Sequence, residues 1–442
     1  MLGEYRIEGR RAAEIAASVE RAVGAGELAP GQLLPPMREL AGELGVNPNT
    51  VASAYRILRE RGVIETDGRR GSRVRSKPAT TGREYARMDV PEGVRNVASG
   101  NPDPALLPSL TKAFTAAAEQ ADREPVLYGD ALVEPALARI ARAELDADGV
   151  PDGPLTVAAG SLDAIERVLA AHLKPGDTVA VEDPGWGSLL DLIPALGLRT
   201  APMRVDDEGP LPDDVRRALE SGARALIVTD RAQNPTGAAV TAARARALRA
   251  VLRDHPEILL IEDDHGHGIV DLPLHPLAGP TRHWAFVRSV AKAYGPDLRL
   301  AVLTGDPVTV DRVSGRHRLG PGWLSRITQR AVVGLWTDDA HDTRAVAAAY
   351  RTRRDRLIDA LAQRGIEAHG RSGLNVWIPV PDETAAVARL LHAGWAVAPG
   401  ARFRMNAPAG IRVTVSTLGL EEVASLADAV AGTFRSPWAS PV

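Results

Sequence analysis

The chain contains no cysteine, no hydrophobic run long enough to cross a membrane, and no basic-then-apolar segment at its N-terminus. Without cysteine, disulfide bonds and thiol chemistry are excluded. A membrane-spanning helix needs about 20 consecutive apolar residues, and a secretion signal needs a basic segment followed by an apolar one. The sequence therefore predicts a protein that neither crosses a membrane nor uses a thiol.

What is present suffices for a sizeable core. The 442 residues are 45% hydrophobic and carry a formal net charge of −3 at pH 7. A chain of this length is predicted to form two or three domains, and the sequence shows no internal repeat. Length and composition therefore indicate no particular function, and the motifs described next do.

Lys292 stands where a cofactor anchor would be expected. It follows the β-rich stretch His283–Val287, with Ser289 three residues before it and Arg299 seven after it. The amine of such a lysine can form a Schiff base with the aldehyde of pyridoxal 5′-phosphate (PLP), and the serine and arginine can reach the cofactor phosphate. Because most lysines are solvated surface charges, this prediction needs support from elsewhere in the chain.

Two upstream segments give that support. Asn234 follows the apolar strand Ala225–Val228, and Asp263 follows the apolar strand Ile258–Leu260. Both place polar groups where a buried parallel strand ends, which is where open α/β sheets bind ligands. A carboxylate there can keep the pyridine nitrogen of PLP protonated, and an Asn amide can hydrogen-bond the ring hydroxyl.

The order of Asn234, Asp263, Lys292 and Arg299 resembles the aspartate aminotransferase family of fold-type I, class I/II. The resemblance implies an α/β fold with a mostly parallel sheet, a smaller C-terminal α/β subdomain, and PLP as the cofactor. It also implies that Lys292 is the catalytic lysine.

The same resemblance divides the module. Residues 96–305 would hold the cofactor-binding sheet with helices on both faces, and residues from about 310 to 435 would form the smaller subdomain. The strands expected in that subdomain are Val376–Ile378, Ala396–Ala398 and Ile411–Val415.

Other positions also match the family. Gly160, Ser161 and Leu162 follow a short strand and precede a helix expected to open at residue 163, and they look like the family's phosphate cup, where backbone N–H groups bind an anion. Trp186 matches the aromatic residue that stacks on the pyridine ring. Tyr128 matches the tyrosine that reaches the phosphate from the partner subunit.

Two positions bear on the substrate and on the chemistry. Arg412 matches the arginine that holds a substrate α-carboxylate by a bidentate pair. Where the family usually has a tyrosine that bonds the phenolic oxygen of the cofactor, this chain has His265. An imidazole can donate the same hydrogen bond, but it titrates near neutral pH, which argues against efficient transamination.

The acidic and histidine side chains in this segment could also serve as metal ligands. Asp263, Asp264, His265 and His267 are all types that bind metals. Asp263 is assigned to the pyridine nitrogen and no other ligand cluster is evident in the sequence. No metal is therefore predicted.

The N-terminal residues have a different pattern. Arg10–Val23 and Met37–Leu44 each carry a helical stripe of apolar residues, and a glycine ends the second. Asn47 as the N-cap and Pro48 at the first helical position begin a third helix that runs to about Arg61. Two helices broken by a glycine-containing turn are the sequence form of a helix-turn-helix.

Two short β runs complete this segment. Val63–Thr66 and Ser72–Arg75 flank Asp67–Gly68 and predict a hairpin, which would be a wing. The segment Leu34–Val74 opens with Leu-Pro-x-x-Arg-x-Leu-Ala and contains Asn-Thr-Val-x-x-Ala-Tyr in its helix. It resembles the GntR family of winged-helix DNA-binding domains.

The charge distribution supports contact with DNA. Residues 56–77 contain eight Arg or Lys and three Asp or Glu, a net charge of +5, whereas the whole chain is at −3. Positive charge is thus placed where the phosphates of a duplex would lie. By the usual docking geometry, the residues expected to face base edges are Asn47, Asn49, Thr50 and Ser53. Phosphate contacts are expected from Arg38, Arg56, Arg69, Arg70 and Arg73.

A winged helix followed by an aminotransferase-like module resembles the MocR subfamily of GntR regulators. The boundaries implied are 1–76 for the winged helix-turn-helix domain, 77–95 for a linker, and 96–442 for the aminotransferase-like effector and dimerisation domain. The resemblance implies a homodimer that binds a double-stranded DNA operator. With DNA as the partner, we expect the protein in the cytoplasm.

Three functions follow from this combination. In the first, which we favour, a transcription factor senses a small amino compound through the Schiff base at Lys292. In the second, the chain is a working aminotransferase that carries a DNA-binding domain. In the third, a regulator senses PLP itself, so that the cofactor-free and cofactor-bound forms differ on DNA. The sequence identifies neither the effector nor the operator.

Overall fold

The computed structural model describes residues 6–25, 27–29, 31–60, 63–66, 71–74, 90–338 and 340–434. The chain divides into two compact units. One comprises the chain up to Thr81 with the short segments Leu173–Thr178 and Asp191–Thr200, and the other comprises the remainder. Within the described residues, no helix is both long enough and apolar enough to cross a bilayer.

The N-terminal segment has three helices and one hairpin in its described residues. In chain order these are α1 (Ala12–Ala25), α2 (Met37–Leu44), α3 (Pro48–Glu60), β1 (Ile64–Thr66) and β2 (Ser72–Val74). β1 and β2 are antiparallel, with Ile64 opposite Val74. The predicted helix-turn-helix and the two strands of the wing are confirmed, while the wing tip at Asp67–Gly68 lies outside the described residues.

The turn between α2 and α3 follows from its sequence. Gly45 ends α2 in the left-handed conformation, with a φ of 63°, which glycine adopts at little cost. Asn47 then begins α3, because its Oδ1 accepts a hydrogen bond from the backbone N–H of Asn49 at 2.9 Å. Pro48 occupies the first helical position, where no backbone donor is needed.

An apolar core joins the three helices to the hairpin. Ile15, Leu40 and Val74 are buried in it. Tyr55 of α3 lies in the same core, and its hydroxyl donates to the carbonyl oxygen of Pro35 at 2.7 Å. Burial raises the pKa of Tyr55 well above its ordinary value, so the hydroxyl remains a donor.

The remainder of the chain is an α/β fold. Its strands are, in chain order, β3 (Arg95–Asn96), β4 (Leu155–Ala158), β5 (Thr178–Asp183), β6 (Arg199–Asp206), β7 (Gly209–Pro210), β8 (Ala223–Thr229), β9 (Leu259–Asp264), β10 (His283–Ser289), β11 (Ala301–Gly305), β12 (Asn375–Pro379), β13 (Trp395–Ala396), β14 (Ala398–Pro399) and β15 (Gly410–Thr414). Its helices are α4 (Thr111–Arg123), α5 (Pro135–Ala147), α6 (Ser161–His172), α7 (Gly187–Ala195), α8 (Pro212–Glu220), α9 (Ala242–Arg253), α10 (Ala291–Tyr294), α11 (Pro307–Arg318), α12 (Arg326–Trp336), α13 (Thr343–Ala362), α14 (Glu383–His392) and α15 (Val423–Phe434).

The central sheet has the strand order β4-β11-β10-β9-β8-β5-β6-β7. β8, β9 and β10 are parallel neighbours, and β11 runs antiparallel between β10 and β4. These strands are buried along almost their whole length, as expected for a sheet covered on both faces. In the sheet register, Asp263 lies between Thr229 and Val287. The carboxyl ends of β8, β9 and β10 therefore meet at one edge.

The smaller C-terminal subdomain contains the three-stranded sheet β12-β15-β14 and the strand pair β13-β3. Its core includes Leu357, Val376, Ile411 and Leu426. The predicted fold class, a mostly parallel sheet with a smaller C-terminal α/β subdomain, is confirmed.

Two assignments to the subdomains differ from the sequence-based expectation. β3 pairs with β13, and Val97 lies in the core of the smaller subdomain, so this segment does not belong with the central sheet. α12 was expected in the smaller subdomain, but it packs on α4 and α5 and places Ala331 in the core of the larger part. Both differences arise from contacts between residues far apart in sequence, which a boundary drawn along the chain cannot represent.

Three local boundaries also differ. The stretch Ala396–Ala398 is two strands in different sheets, because the chain changes partner at Val397. β9 continues through Asp264, since its pairing with β10 does not stop at the last apolar residue. α6 begins at Ser161, two residues before the expected start.

We predict that Gly45→Ala destabilises the α2–α3 turn by about 1 kcal/mol, because a residue with a Cβ atom is strained in the left-handed region. The matched control is Gly42→Ala inside α2. An added Cβ meets no other atom within 4 Å at either position, and alanine favours a helix interior by up to about 1 kcal/mol. Native-state hydrogen exchange of the α2–α3 segment measures both changes. A neutral Gly45→Ala would contradict the assigned cap.

Candidate cofactor site and DNA-binding surface

A cavity of about 510 Å³ lies at the carboxyl ends of the central strands. Its wall contains ten of the residues expected at the site, namely Gly160, Ser161, Leu162, Trp186, Asn234, His265, Ser289, Lys292, Arg299 and Arg412. Among the described residues, the wall has no Asp or Glu, whereas it holds one lysine and three arginines. The cavity is therefore suited to an anionic ligand. Asp263 and Tyr128 are the expected residues that do not form part of the wall.

Lys292 lies on the short helix α10, directly after β10. The Ser289 hydroxyl, at the end of β10, accepts a hydrogen bond from the backbone N–H of Ala291 at 3.2 Å and so helps to start this helix. The Nζ atom of Lys292 donates to the carbonyl oxygen of Gly100. Gly100 was not identified from the sequence, because a backbone carbonyl carries no sequence signal.

The residues expected to hold a phosphate come together at the start of α6. Gly160 has a φ of 98°, and a Cβ atom added there would lie 2.7 Å from Nη2 of Arg299. The same Nη2 donates to the carbonyl oxygen of Ala159 at 2.5 Å. The hydroxyl of Ser161 is buried without a hydrogen-bond partner in the described part of the chain. Unpaired N–H groups at a helix start, an unsatisfied hydroxyl and a guanidinium group fit a phosphate.

Asp263 and His265 form a hydrogen-bonded pair at the end of β9. Nδ1 of His265 lies 2.8 Å from Oδ2 of Asp263, and Nε2 lies 2.8 Å from the carbonyl oxygen of Ala232. Burial lowers the pKa of the His265 imidazole, but the Asp263 carboxylate more than offsets this, and the net shift is upward. Asp263 is only 2% exposed, and its Oδ1 has no hydrogen-bond partner among the described residues.

This arrangement differs from the one expected for His265. The sequence suggested that the imidazole donates to the phenolic oxygen of the cofactor. In the structure, His265 forms part of the cavity wall, but both of its ring nitrogens already have protein partners. Ala232, whose carbonyl takes Nε2, could not be found from sequence, because it is 33 residues away.

Arg412 extends from β15 of the smaller subdomain into the cavity wall. Its Nη1 donates to Oδ1 of Asn234 at 2.9 Å and its Nη2 to the carbonyl oxygen of Ala98 at 2.6 Å. Its guanidinium carbon lies 4.6 Å from the centroid of the Phe403 ring, a distance suited to a cation–π contact. With Oδ1 of Asn234 engaged by Arg412, the amide nitrogen is the side of Asn234 that can donate to a ring hydroxyl.

Trp186 follows β5, and its ring centroid lies 6.4 Å from that of His265 across the cavity wall. The strand end that carries it is held by Asp183. The Asp183 carboxylate accepts hydrogen bonds from the backbone N–H groups of Met405, Asn406 and Ala407, at 2.8, 2.7 and 3.0 Å. This contact links the central sheet to the smaller subdomain.

Behind the wall lie carboxyl groups that the sequence did not identify as a cluster. Burial raises the pKa of Glu182 and of Glu262 to about 7, and it raises the pKa of Asp230 well above its usual range. A carboxyl group whose pKa is raised carries less negative charge at neutral pH than one with an ordinary pKa. The negative charge that these groups place near the cationic wall is therefore reduced.

The possible metal ligands are engaged elsewhere. Asp264 forms ion pairs with Arg231 at 2.7 Å and with Arg288 at 3.0 Å. Burial alone would raise the pKa of Asp264, but these two guanidinium groups hold it far below its usual value. His267 accepts a hydrogen bond from the indole N–H of Trp336 at 3.0 Å. Within the described residues, no group of three His, Asp or Glu side chains is arranged to hold a metal.

Tyr128 lies outside the cavity of its own chain. It is 94% exposed, and its ring meets that of Trp323 edge-on at a centroid distance of 5.5 Å. Leu127 and Leu319 are also large exposed apolar side chains of this unit. The role of Tyr128 toward a partner's phosphate remains a prediction.

The predicted DNA contacts lie around α3. Arg38, Asn47, Asn49 and Arg56 are exposed, and Thr50, Ser53 and Arg73 are half-buried. Asn47 also caps α3, so its side chain has a structural role at the start of the helix. Arg69 and Arg70 lie outside the described residues. The surface thus presents polar side chains at the start of α3 and arginines along it, as base and phosphate contacts require.

We predict that Gly160→Ala weakens PLP binding at least tenfold, because the new methyl group would displace Arg299 from the phosphate cup. The matched control is Gly176→Ala. Gly176 has nearly the same φ, 96°, but an added Cβ there meets nothing within 4 Å. Equilibrium dialysis against PLP measures both variants. Equal losses of PLP affinity in the two variants would indicate that backbone strain alone weakens binding. Arg299 would then not be part of the phosphate cup.

Two family models match the chain. The model for bacterial regulatory proteins of the gntR family matches residues 11–74. The model for aminotransferase class I and II matches residues 92–430, which is well over half of the chain.

Named relatives agree with this pairing. The vitamin B6 salvage pathway transcriptional repressor PtsJ of Salmonella typhimurium is 40% identical over 427 residues, covering 95% of this chain and 98% of PtsJ. The HTH-type pyridoxine biosynthesis transcriptional regulator PdxR of Corynebacterium glutamicum is 29% identical, covering 78% of this chain and 75% of PdxR.

Solved structures resemble the second unit. A mutant of Thermus thermophilus aspartate aminotransferase is 25% identical with a TM-score of 0.68, over 78% of this chain and 97% of that one. The α-aminoadipate aminotransferase LysN of Thermus thermophilus, solved with N-(5′-phosphopyridoxyl)-L-leucine, has the same fold, with 21% identity and a TM-score of 0.67 over 80% of this chain and 97% of that one. The chain belongs to the GntR family of bacterial regulatory proteins, in the MocR subfamily that joins a winged helix to an aminotransferase class I/II domain, and it is a PLP-dependent DNA-binding transcriptional regulator.

Proposed function

We propose that this regulator controls genes of vitamin B6 metabolism and that PLP is its signal. The main support is the cationic cavity with Lys292 in its wall and a phosphate cup at one end. A second support is the likeness over almost the whole chain to a relative named as a repressor of vitamin B6 salvage. In this proposal, the occupancy of the cavity by PLP depends on the cellular concentration of PLP. That occupancy changes how the winged helix binds an operator.

The proposed binding roles follow from the contacts at the cavity. Lys292 would link to the aldehyde of PLP through Nζ, and Trp186 would stack on the ring. The phosphate would be held by Gly160, Ser161, Leu162, Ser289 and Arg299. When bound, PLP supplies an aldehyde that reacts with primary amines and a pyridine ring that withdraws electrons. Asp263, whose Oδ1 has no hydrogen-bond partner in the described part of the chain, would accept from the pyridine nitrogen, and Asn234 would donate to the ring hydroxyl.

A second candidate signal is a small amino compound with a carboxylate, sensed at Lys292 in the PLP-bound protein. The observation that favours it is Arg412, whose guanidinium group lies in the cavity wall over Phe403. Such a group can bind a carboxylate by two parallel hydrogen bonds. A working aminotransferase would need the same arginine, so turnover with amino acids is a third outcome to be measured.

The assembly is also part of the proposal. Residues 1–76 would form the DNA-binding domain, 77–95 the linker and 96–442 the effector and dimerisation domain. Two chains would pair through the aminotransferase-like domains, and the exposed Tyr128 would approach the partner's phosphate site. Because the partner is operator DNA, we place the protein in the cytoplasm.

We predict that PLP changes the Kd of the wild-type protein for a selected DNA duplex at least tenfold, about 1.4 kcal/mol. Lys292→Ala should abolish the visible absorbance of the lysine-linked cofactor and remove this response, while the cofactor-free protein keeps its DNA affinity. Fluorescence anisotropy with and without PLP measures the response.

The control for that experiment is Lys112→Ala, which removes an exposed lysine of α4 that is not part of the cavity wall. If PLP leaves the DNA affinity of the wild-type protein unchanged, PLP is not the signal. If an amino acid changes that affinity only when PLP is bound, and Arg412→Gln loses the effect, the second candidate replaces the first.

We predict that Arg56→Ala weakens DNA binding similarly for all sequences and lowers the slope of log K against log salt by about one, as expected for the loss of one phosphate contact. PLP binding should not change. Arg282→Ala, which removes an exposed arginine of the second unit paired with Glu257, is the control. An unchanged salt slope in Arg56→Ala would exclude the phosphate contact.

A further inference from the structure

The hydrogen bonds of His265 restrict where its protons are. A carbonyl oxygen can only accept, so Nε2, 2.8 Å from the carbonyl oxygen of Ala232, must carry a hydrogen. Nδ1 lies 2.8 Å from Oδ2 of Asp263. That contact also needs a hydrogen, either on Nδ1 or on the carboxyl group. The pair therefore keeps one proton more than a neutral imidazole beside a carboxylate would have.

The other oxygen of Asp263 is in a different state. Oδ1 is buried and has no hydrogen-bond partner within the described residues. A buried carboxylate oxygen without a donor is costly, so a ligand that brings an N–H group would be favoured there. A protonated pyridine nitrogen is such a donor. Asp263 thus has one oxygen held by His265 and one that lacks a donor among the described residues.

The carbonyl that fixes His265 is itself held firmly. Ala232 has a φ of 56°, which is unusual for a residue with a Cβ atom. Its backbone N–H donates to the hydroxyl of Ser372 at 2.8 Å. The preceding residue, Arg231, forms two hydrogen bonds with Asp264, at 3.0 and 2.7 Å. A Cβ atom added at Gly373 would lie 2.5 Å from that of Ala232, so there is little room for movement.

We propose that His265 is a positioning residue that acts on the cofactor through Asp263: it holds Oδ2, orients Oδ1 toward the pyridine nitrogen, and makes no hydrogen bond to the phenolic oxygen. The proposal rests on the assignment of this cavity to PLP. Ser372 of the smaller subdomain belongs to the same chain of contacts, because its hydroxyl accepts from the backbone N–H of Ala232, the residue whose carbonyl oxygen is the partner of Nε2 of His265.

Binding of PLP analogues to the intact protein separates the two roles. Deaza-PLP has C–H in place of the pyridine nitrogen, and 3-deoxy-PLP lacks the phenolic oxygen. We expect His265→Phe to weaken binding of PLP and of 3-deoxy-PLP at least tenfold, and binding of deaza-PLP less than twofold. Asp263→Asn should give the same selectivity. The double variant should lose no more than either single variant, because both act at one contact.

Two further variants test whether the effect passes through Ala232 and whether it is specific to His265. Ser372→Ala leaves the His265 ring in place but loosens Ala232, and it should give a smaller loss with the same selectivity for PLP over deaza-PLP. His369→Phe is the matched control, because His369 also pairs through Nδ1 with a carboxylate, that of Asp207 at 3.2 Å, but is not part of the cavity wall. It should bind all three ligands as the wild-type protein does.

The outcomes are distinct. Equal losses for PLP and deaza-PLP in His265→Phe would mean that the residue is only structural, and a loss that disappears with 3-deoxy-PLP would place the imidazole on the phenolic oxygen. Either result overturns the proposal. Equilibrium dialysis gives these affinities without DNA, so a failure of PLP to alter DNA binding would reject the proposed signal and leave the role of His265 to be decided separately.

Discussion

The parallel course of β8, β9 and β10 is the constraint on which the cofactor site depends. Because three neighbouring strands end at the same edge, the segments that follow them bring Asn234, His265 and Lys292 together although they are far apart in sequence. The strands are buried almost throughout, and the acidic side chains of β9 occupy its last three positions, Glu262, Asp263 and Asp264. The smaller subdomain then closes this edge with Arg412.

Residues with their own chemical signal could be identified from the sequence. Lys292, Arg299 and Gly160 line the cavity. Gly160 and Lys292 stand shortly after the recognisable strands β4 and β10, and Arg299 follows Lys292 at a characteristic spacing. The turn at Gly45 and Asn47 was equally readable, since glycine and asparagine have specific backbone roles there. Local rules are enough in these cases, because the contact that matters lies within a few residues.

Contacts between distant backbone groups could not be read in this way. Ala232 and Gly100 act through carbonyl oxygens, and nothing in their side chains marks them. The same holds for β3, whose two residues join a sheet formed some 300 residues later. His265 was identified as unusual, but its partners depend on the end of β8 and not on its own sequence neighbourhood. The sequence could therefore suggest which residues matter and could not determine what each one touches.

The contact made by Asp183 limits how far the smaller subdomain can separate from the central sheet. One carboxylate accepts three backbone N–H groups of the smaller subdomain, and hydrogen bonds to a charged group contribute about 1.5–3 kcal/mol each. Pulling the subdomain away at this point would expose four polar groups at once. The end of β5 is therefore a point at which the smaller subdomain is firmly attached to the central sheet.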